Sequence, residues 1–164
     1  MIIKDSMVLI HLAKSTLLEL SCDYFGKVFI TPRIKREVVK KEYPDAYKIE
    51  EMLVKNKILV KEVKNFSLTK KAEEFNILGA ETEAVALYWE LNADFIATDD
   101  DNVRRKREIL KLNIIGTPAI ILKLYKEKKI NKEKLNNSIN IMKKIGWFNN
   151  TIWDKIMLEV EKNA

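Results

Sequence analysis

Short apolar runs alternate along this chain with longer stretches in which hydrophobic residues recur every three or four positions. The short runs predict β-strands at Ile2–Ile3, Val28–Thr31, Ile58–Val63, Asp94–Thr98 and Asn113–Ile115. The periodic stretches predict helices at Met7–Leu20, Asp45–Asn56, Glu81–Asn92, Asp101–Leu112, Ala119–Lys128, Asn131–Ile145 and Asn150–Lys162, with another helix beginning at Pro32. Strands that alternate with helices indicate an α/β fold, in which a parallel sheet is covered on both faces.

Size and composition fit one folded unit. The chain has 164 residues, of which 47% are hydrophobic and 33% charged, as in soluble globular proteins. We therefore expect a single domain over 1–164, with a core at 1–145 and a closing helix at 146–164. The run MVLIHL is far shorter than a membrane span, and the opening MIIKDS lacks the apolar segment of a signal peptide. These features predict a cytoplasmic protein without a membrane partner.

Charge and metal-binding residue types narrow the function only partly. The net charge of +6 attracts phosphate backbones, but it attracts other anionic partners too. One cysteine and one histidine cannot build a zinc site from thiolates and imidazoles. Any metal site must therefore rely on oxygen ligands.

Acidic residues stand where a parallel sheet binds its ligands, at the carboxyl ends of the strands. Asp5 follows the first strand, and Asp99 follows the strand that contains Phe95-Ile96-Ala97. Glu81 stands at the start of the preceding helix, 18 positions before Asp99. The helix and the strand that follows it run in opposite directions, so the start of the helix and the end of the strand, with both acids, lie at the same edge of the sheet. Glu37 lies one turn into the helix after the second strand. The four acids are expected at the same edge.

Four carboxylates at one edge predict a divalent cation site. Like charges raise one another's pKa unless a cation neutralises them. Mg²⁺ and Mn²⁺ prefer oxygen ligands, lower the pKa of a bound water and offset charge on a phosphoryl group. The implied chemistry is hydrolysis of a phosphodiester bond.

Each acid also has an ordinary structural interpretation. Asp5 could cap the helix that begins at Ser6, Glu37 could lie on a solvated helix face, and Glu81 could complement a helix dipole. Asp99 follows a strand that is expected to be buried, so its charge needs a partner. Asp100 and Asp101 are expected to cap the next helix. The residue types of the four acids leave the structural and the metal-binding interpretations open. Their expected position at one edge of the sheet favours a metal-binding site.

Four segments in order resemble a prokaryotic PIN domain: IIKDSMVLIHLAK, PRIKREV, GAETEAVALYWELNADFIATDDDNVRRK and ILKLNIIGTPAIILKLYKEKKI. The resemblance covers about residues 1–145. It implies a three-layer α/β/α PIN-like fold with a short central parallel sheet of four to five strands, the first strand being central. It also implies that Asp5, Glu37, Glu81 and Asp99 are the catalytic acids, with Asp5, Glu81 and Asp99 as ligands of Mg²⁺ or Mn²⁺.

The resemblance further implies an RNA substrate, a homodimer and, in VapC-like members, a toxin ribonuclease paired with a small antitoxin. Ser6 matches the small hydroxyl residue beside the first acid. The expected phosphate-binding residues are Arg33, Arg36, Arg104 and Arg105, because arginine offers a forked donor to phosphate. The aromatic residues expected at a dimer interface are Trp89, Trp147, Phe148 and Trp153.

Other functions fit the sequence less well. A catalytically silent nucleic-acid-binding module with the same fold would be expected to lack one of the acids, and all four are present. A receiver domain would need an acidic pair after the first strand and a late lysine after another strand. A phosphatase of the haloacid-dehalogenase type would need Asp-x-Asp at the first strand, where position 7 is Met.

Overall fold

A parallel five-stranded sheet forms the centre of the fold in the described residues, which are 1–40, 42 and 44–163 of the computed structural model. Its strands are β1 Ile2–Lys4, β2 Val28–Ile30, β3 Leu59–Val60, β4 Phe95–Ala97 and β5 Ile114–Ile115. They lie in the order β3-β2-β1-β4-β5. The parallel α/β sheet with its first strand at the centre is therefore confirmed. Strands β2 to β5 are each one to four residues shorter than predicted, whereas β1 is one residue longer because it includes Lys4.

Helices flank the sheet in the three-layer α/β/α arrangement. They are α1 Ser6–Lys14, α2 Leu18–Phe25, α3 Pro32–Val38, α4 Ala46–Val54, α5 Phe66–Glu74, α6 Ala80–Leu91, α7 Asp101–Arg105, α8 Thr117–Lys126, α9 Lys132–Ile145 and α10 Asn150–Lys162. Helix α5 was not predicted, because its sequence FSLTKKAEE buries only Ala72 and so lacks an apolar stripe.

Two predicted helices were too long. The predicted helix over 7–20 is two helices, since Thr16 adopts a left-handed φ of 62° and the Ser15 hydroxyl donates to the carbonyl of His11. The predicted helix over 101–112 ends at Arg105 and continues as turns. In both cases an apolar periodicity continued past the residue where the backbone leaves the helix.

The closing helix α10 packs on the rest of the chain through its aromatic residues. Trp153 is fully buried and its ring lies edge-on to Phe148, with 5.6 Å between the centroids. Trp89 donates from Nε1 to the Leu110 carbonyl at 3.1 Å, while Trp147 is half exposed. These contacts account for Trp89, Phe148 and Trp153 within one chain, and the homodimer stays a prediction. No helix in the described part of the chain is long and apolar enough to cross a membrane.

Candidate metal centre

Asp5 lies at the carboxyl end of the central strand and also caps the following helix. Its backbone N–H donates to the Ala97 carbonyl at 3.0 Å, which ties it to β4. Its Oδ1 accepts a hydrogen bond from the Val8 N–H at 2.9 Å. The side chain is almost fully buried, at 3% exposure. The capping interpretation is therefore correct, and the cap places the Asp5 carboxylate at the carboxyl edge of the sheet.

The electrostatic environment of Asp5 is strongly unfavourable for its negative charge. Burial is the main cause, and the charge of Asp99 the next, of a rise in the Asp5 pKa from 3.8 to about 8. The Thr98 hydroxyl and the Val8 N–H offset part of this rise, and Glu81 adds to it. Asp5, Asp99 and Glu81 therefore lie close enough for their charges to repel.

Glu81 and Glu37 extend the acidic group on the side of helices α6 and α3. Glu81 is half-buried in the first turn of α6, and its pKa is raised by burial and then by the charges of Asp100 and Glu37. Glu37 Oε2 accepts a hydrogen bond from the Ser6 hydroxyl at 2.6 Å. This bond holds α3 to the start of α1. The predicted small hydroxyl residue thus orients an acid of the group.

Asp99 is held by hydrogen bonds from two other elements. Its Oδ1 accepts from the Thr117 N–H at 2.8 Å, and its Oδ2 accepts from the Thr117 hydroxyl at 2.5 Å. The same Oδ2 lies 2.8 Å from His11 Nδ1. Gly116 occupies the N-cap position of α8, and the Thr117 side chain at the start of that helix bonds to Asp99. Both oxygens of this carboxylate are therefore already engaged.

Asp100 belongs to the acidic group, which the sequence did not reveal. Its Oδ1 accepts from the Val103 N–H at 2.8 Å, so it caps α7 as predicted. Its negative charge also raises the pKa of Glu81. The effect of Asp100 on Glu81 could not be predicted from the run TDDD, because a helix-capping residue and a residue of the acidic group are both aspartate there. Asp101 lies in the first turn of α7 and is exposed.

The acids of this group form no ion pair with a lysine or arginine among the described side chains. None of the ion pairs there includes Asp5, Glu37, Glu81 or Asp100, and Asp99 pairs with His11. In the same part of the chain, no three His, Cys, Asp or Glu side chains are arranged to hold a metal ion. The donor chemistry nevertheless fits a hard divalent cation, since the group offers carboxylate oxygens with unrelieved repulsion.

Comparison with known proteins identifies the family of the chain. A family model described as a PIN domain matches residues 1–162. The chain belongs to the PIN-domain family. PIN domains have a nuclease-type fold, act on nucleic acid and typically bind divalent metal ions. Searches of curated proteins and of solved structures gave no match.

The four arginines predicted to bind phosphate lie at different distances from the acids of this PIN domain. Arg33 is near Glu81, because its charge opposes the rise in the Glu81 pKa. Arg104 reaches the backbone at Gly116, beside Asp99. Arg36 lines a separate groove with Phe66, and Arg105 is exposed and donates from Nε to the Asp101 carbonyl at 3.3 Å. The structure thus brings two of the four, Arg33 and Arg104, next to the acidic group.

Proposed function

We propose that this PIN domain is a metal-dependent endoribonuclease that hydrolyses phosphodiester bonds in RNA with Mg²⁺ or Mn²⁺. The observation that supports it best is the raised pKa of Asp5, about 8, in a group of acids without a lysine or arginine partner among the described residues. A structural acid at this depth would be expected to have a cationic partner or a full set of hydrogen-bond donors. An acid that binds a cation needs neither.

Asp5, Glu81 and Asp100 are the ligands that we propose for the ion. The sequence led us to expect Asp99 in the third position. Three hydrogen bonds from Thr117 and His11 occupy its oxygens, whereas Asp100 accepts one from a backbone N–H and acts electrostatically on Glu81. Asp99 then contributes negative charge and fixes the start of the segment that carries Asp100.

The remaining residues orient the acids and the substrate. Ser6 holds the Glu37 carboxylate at the rim of the group. Arg33 offers a forked donor to the non-bridging oxygens of the scissile phosphate, and Arg104 offers one to a neighbouring phosphate of the same strand. A bound divalent ion supplies a water of lowered pKa and offsets charge on the phosphoryl group.

The VapC-like part of the proposal is that the protein is a toxin that a small antitoxin inhibits, and that it acts as a homodimer. The family is its support, together with the half-exposed Trp147 as an available interface residue. Light scattering at micromolar concentration tests the dimer: a monomer mass rejects it. Co-expression with the product of a neighbouring small gene tests the antitoxin, because a true antitoxin copurifies and relieves growth arrest.

Cleavage of a labelled single-stranded RNA tests the nuclease. The parent should cut with Mn²⁺ and stop with EDTA, and Glu81→Gln should be inactive. Glu83→Gln is the matched control, because it changes the same residue type two positions along α6, where the side chain lines the groove that contains Val63 and Phe66. A parent that binds RNA but never cuts it under any divalent ion would identify the alternative, a catalytically silent binding module.

A further inference from the structure

A cleft of about 420 Å³ lies beside the acidic group, between α7, the first half of α8 and the closing helix α10. Arg104, Gly116, Leu122, Phe148, Ile152 and Lys155 are among its lining residues. Asp101 is the acid in this lining. The cleft therefore combines two cationic groups with an apolar wall, next to the point where Asp99 and Asp100 leave the sheet.

The Arg104 guanidinium packs against the backbone of Gly116. The φ of −92° at Gly116 suits any residue, so backbone strain does not require a glycine here. A Cβ at this position would lie 2.6 Å from Arg104 Nη1 and 3.1 Å from Asp99 Oδ1. The absence of a side chain at 116 thus lets the guanidinium lie against the backbone beside the acids. Arg104 is in none of the ion pairs between described residues, so its charge is available.

The opposite wall of the cleft is apolar and held in place by aromatic contacts. The Phe148 ring centroid lies 5.7 Å from that of His11 and 5.6 Å from that of Trp153. His11 in turn bonds to Asp99, so the wall and the acidic group share one packed network. Lys155 lines the same cleft from α10 and is exposed.

We propose that this cleft binds the nucleotide adjacent to the scissile phosphate of a single-stranded RNA, an inference that rests on the proposed nuclease function. Arg104 and Lys155 bind its phosphate oxygens, and Phe148 with Ile152 contacts the face of its base. Arginine forks match phosphate geometry, and unstacked bases pack on aromatic side chains. A paired base is already stacked within a helix, so the cleft selects single strands over duplexes.

Binding of a fluorescent ten-nucleotide RNA in EDTA tests this cleft without any cleavage. Gly116→Ala keeps every charge but displaces the guanidinium, and it should weaken binding about tenfold. Arg104→Lys should weaken binding by a similar factor, because a lysine cannot form the fork. Lys155→Ala should lower the slope of log affinity against log salt by about one. Circular dichroism and thermal melting show that each variant is folded.

Lys129→Ala is the matched control, since Lys129 lines a basic cavity at the far end of α8. It should change affinity less than twofold. The proposal is rejected if the parent does not bind the RNA, or if Gly116→Ala and Arg104→Lys bind it as tightly as the parent does. It is also rejected if Lys129→Ala weakens binding as much as the cleft variants do, or if an RNA duplex of the same length binds as tightly as the single strand. A parent that binds RNA through the cleft but does not cut it with Mn²⁺ rejects the nuclease and keeps the cleft.

Discussion

Two groups of acidic side chains in this protein have opposite surroundings. On the surface formed by α2 and α4, Glu19 pairs with Lys55 at 3.2 Å and with Lys57 at 2.8 Å, and Lys57 also pairs with Asp23 at 2.8 Å. At the carboxyl edge of the sheet, by contrast, Asp5 and its neighbours have no lysine or arginine partner in the described residues. The chain has 30 lysines and arginines, yet of these two groups of acids only the exposed one forms ion pairs with lysine between described residues.

The two groups also titrate in opposite directions. Hydrogen bonds from Lys57 and then Lys55 lower the pKa of Glu19, whereas burial and the charge of Asp99 raise that of Asp5 to about 8. Exposed acids with lysine partners satisfy their own charge and need nothing more. Buried acids that repel one another destabilise the metal-free fold, and a bound cation would reverse that effect.

The largest expected effect is the loss of cleavage when the buried group loses one of the proposed metal ligands. Asp5→Asn should reduce the rate of RNA cleavage on the order of 10³-fold, because the amide keeps the helix cap but loses the charge that binds the ion. The matched control is Asp23→Asn in the exposed group, which should cleave at the parent rate. Equal rates for Asp5→Asn and the parent would remove Asp5 from the site.

Stability in EDTA should depend on pH through Asp5. Its folded pKa is raised, so the folded state keeps the proton that the unfolded state releases. The contribution of Asp5 to stability is therefore fully present below pH 4, is lost as pH rises to about 8, and changes no further above that. Asp5→Asn lacks this loss and should be more stable than the parent at pH 8, by on the order of 5 kcal/mol. Urea unfolding of both proteins at pH 4, 6 and 8 measures the difference between their free energies of unfolding. A difference that does not grow with pH contradicts this prediction.

The adjacent Asp99 and Asp100 should respond differently to loss of charge. Neutralising one of several crowded acids relieves repulsion, so on charge alone the loss of the Asp99 carboxylate would leave stability unchanged or raise it. Its hydrogen bonds to His11 and Thr117 reverse that sign, because an amide nitrogen in place of one oxygen would face a donor. Asp99→Asn should therefore cost about 1–3 kcal/mol.

Asp100→Asn is the comparison for that variant, since asparagine is an equally good helix cap. It should melt close to the parent in EDTA and lose the stabilisation that Mn²⁺ gives the parent. Thermal melting with and without Mn²⁺ separates the two variants. If Asp100→Asn responds to Mn²⁺ as the parent does while Asp99→Asn does not, Asp99 is the ligand.

The smallest effect is expected in the exposed group. Lys57→Ala removes two ion pairs, but both lie in water and are screened by salt. The melting temperature should change by no more than about two degrees, and the change should shrink in high salt. A large decrease in melting temperature that does not depend on salt would contradict this, because it would mean that the exposed ion pairs stabilise the fold as much as we expect of the Asp99 hydrogen bonds.

The sequence predicted the parallel sheet and the acids at its edge, because both depend on local signals. Asp5 and Glu81 each stand at a boundary between an apolar run and a helix, and the order of strands and helices places such boundaries together. The sequence could not distinguish Asp99 from Asp100, since the hydrogen bonds that set Asp99 apart come from Thr117 and His11, which are distant in the chain. His11 interrupted an apolar run, and that is the one signal of its buried contact.

Anomalous scattering from crystals soaked in Mn²⁺ tests the central claim most directly. We expect a peak at the carboxyl edge of the sheet, about 2.0–2.2 Å from carboxylate oxygens of Asp5, Glu81 and Asp100. Crystals of Asp5→Asn should lack the peak. A saturating soak that leaves this edge without manganese, or that places the ion away from Asp5 and Glu81, would contradict the account.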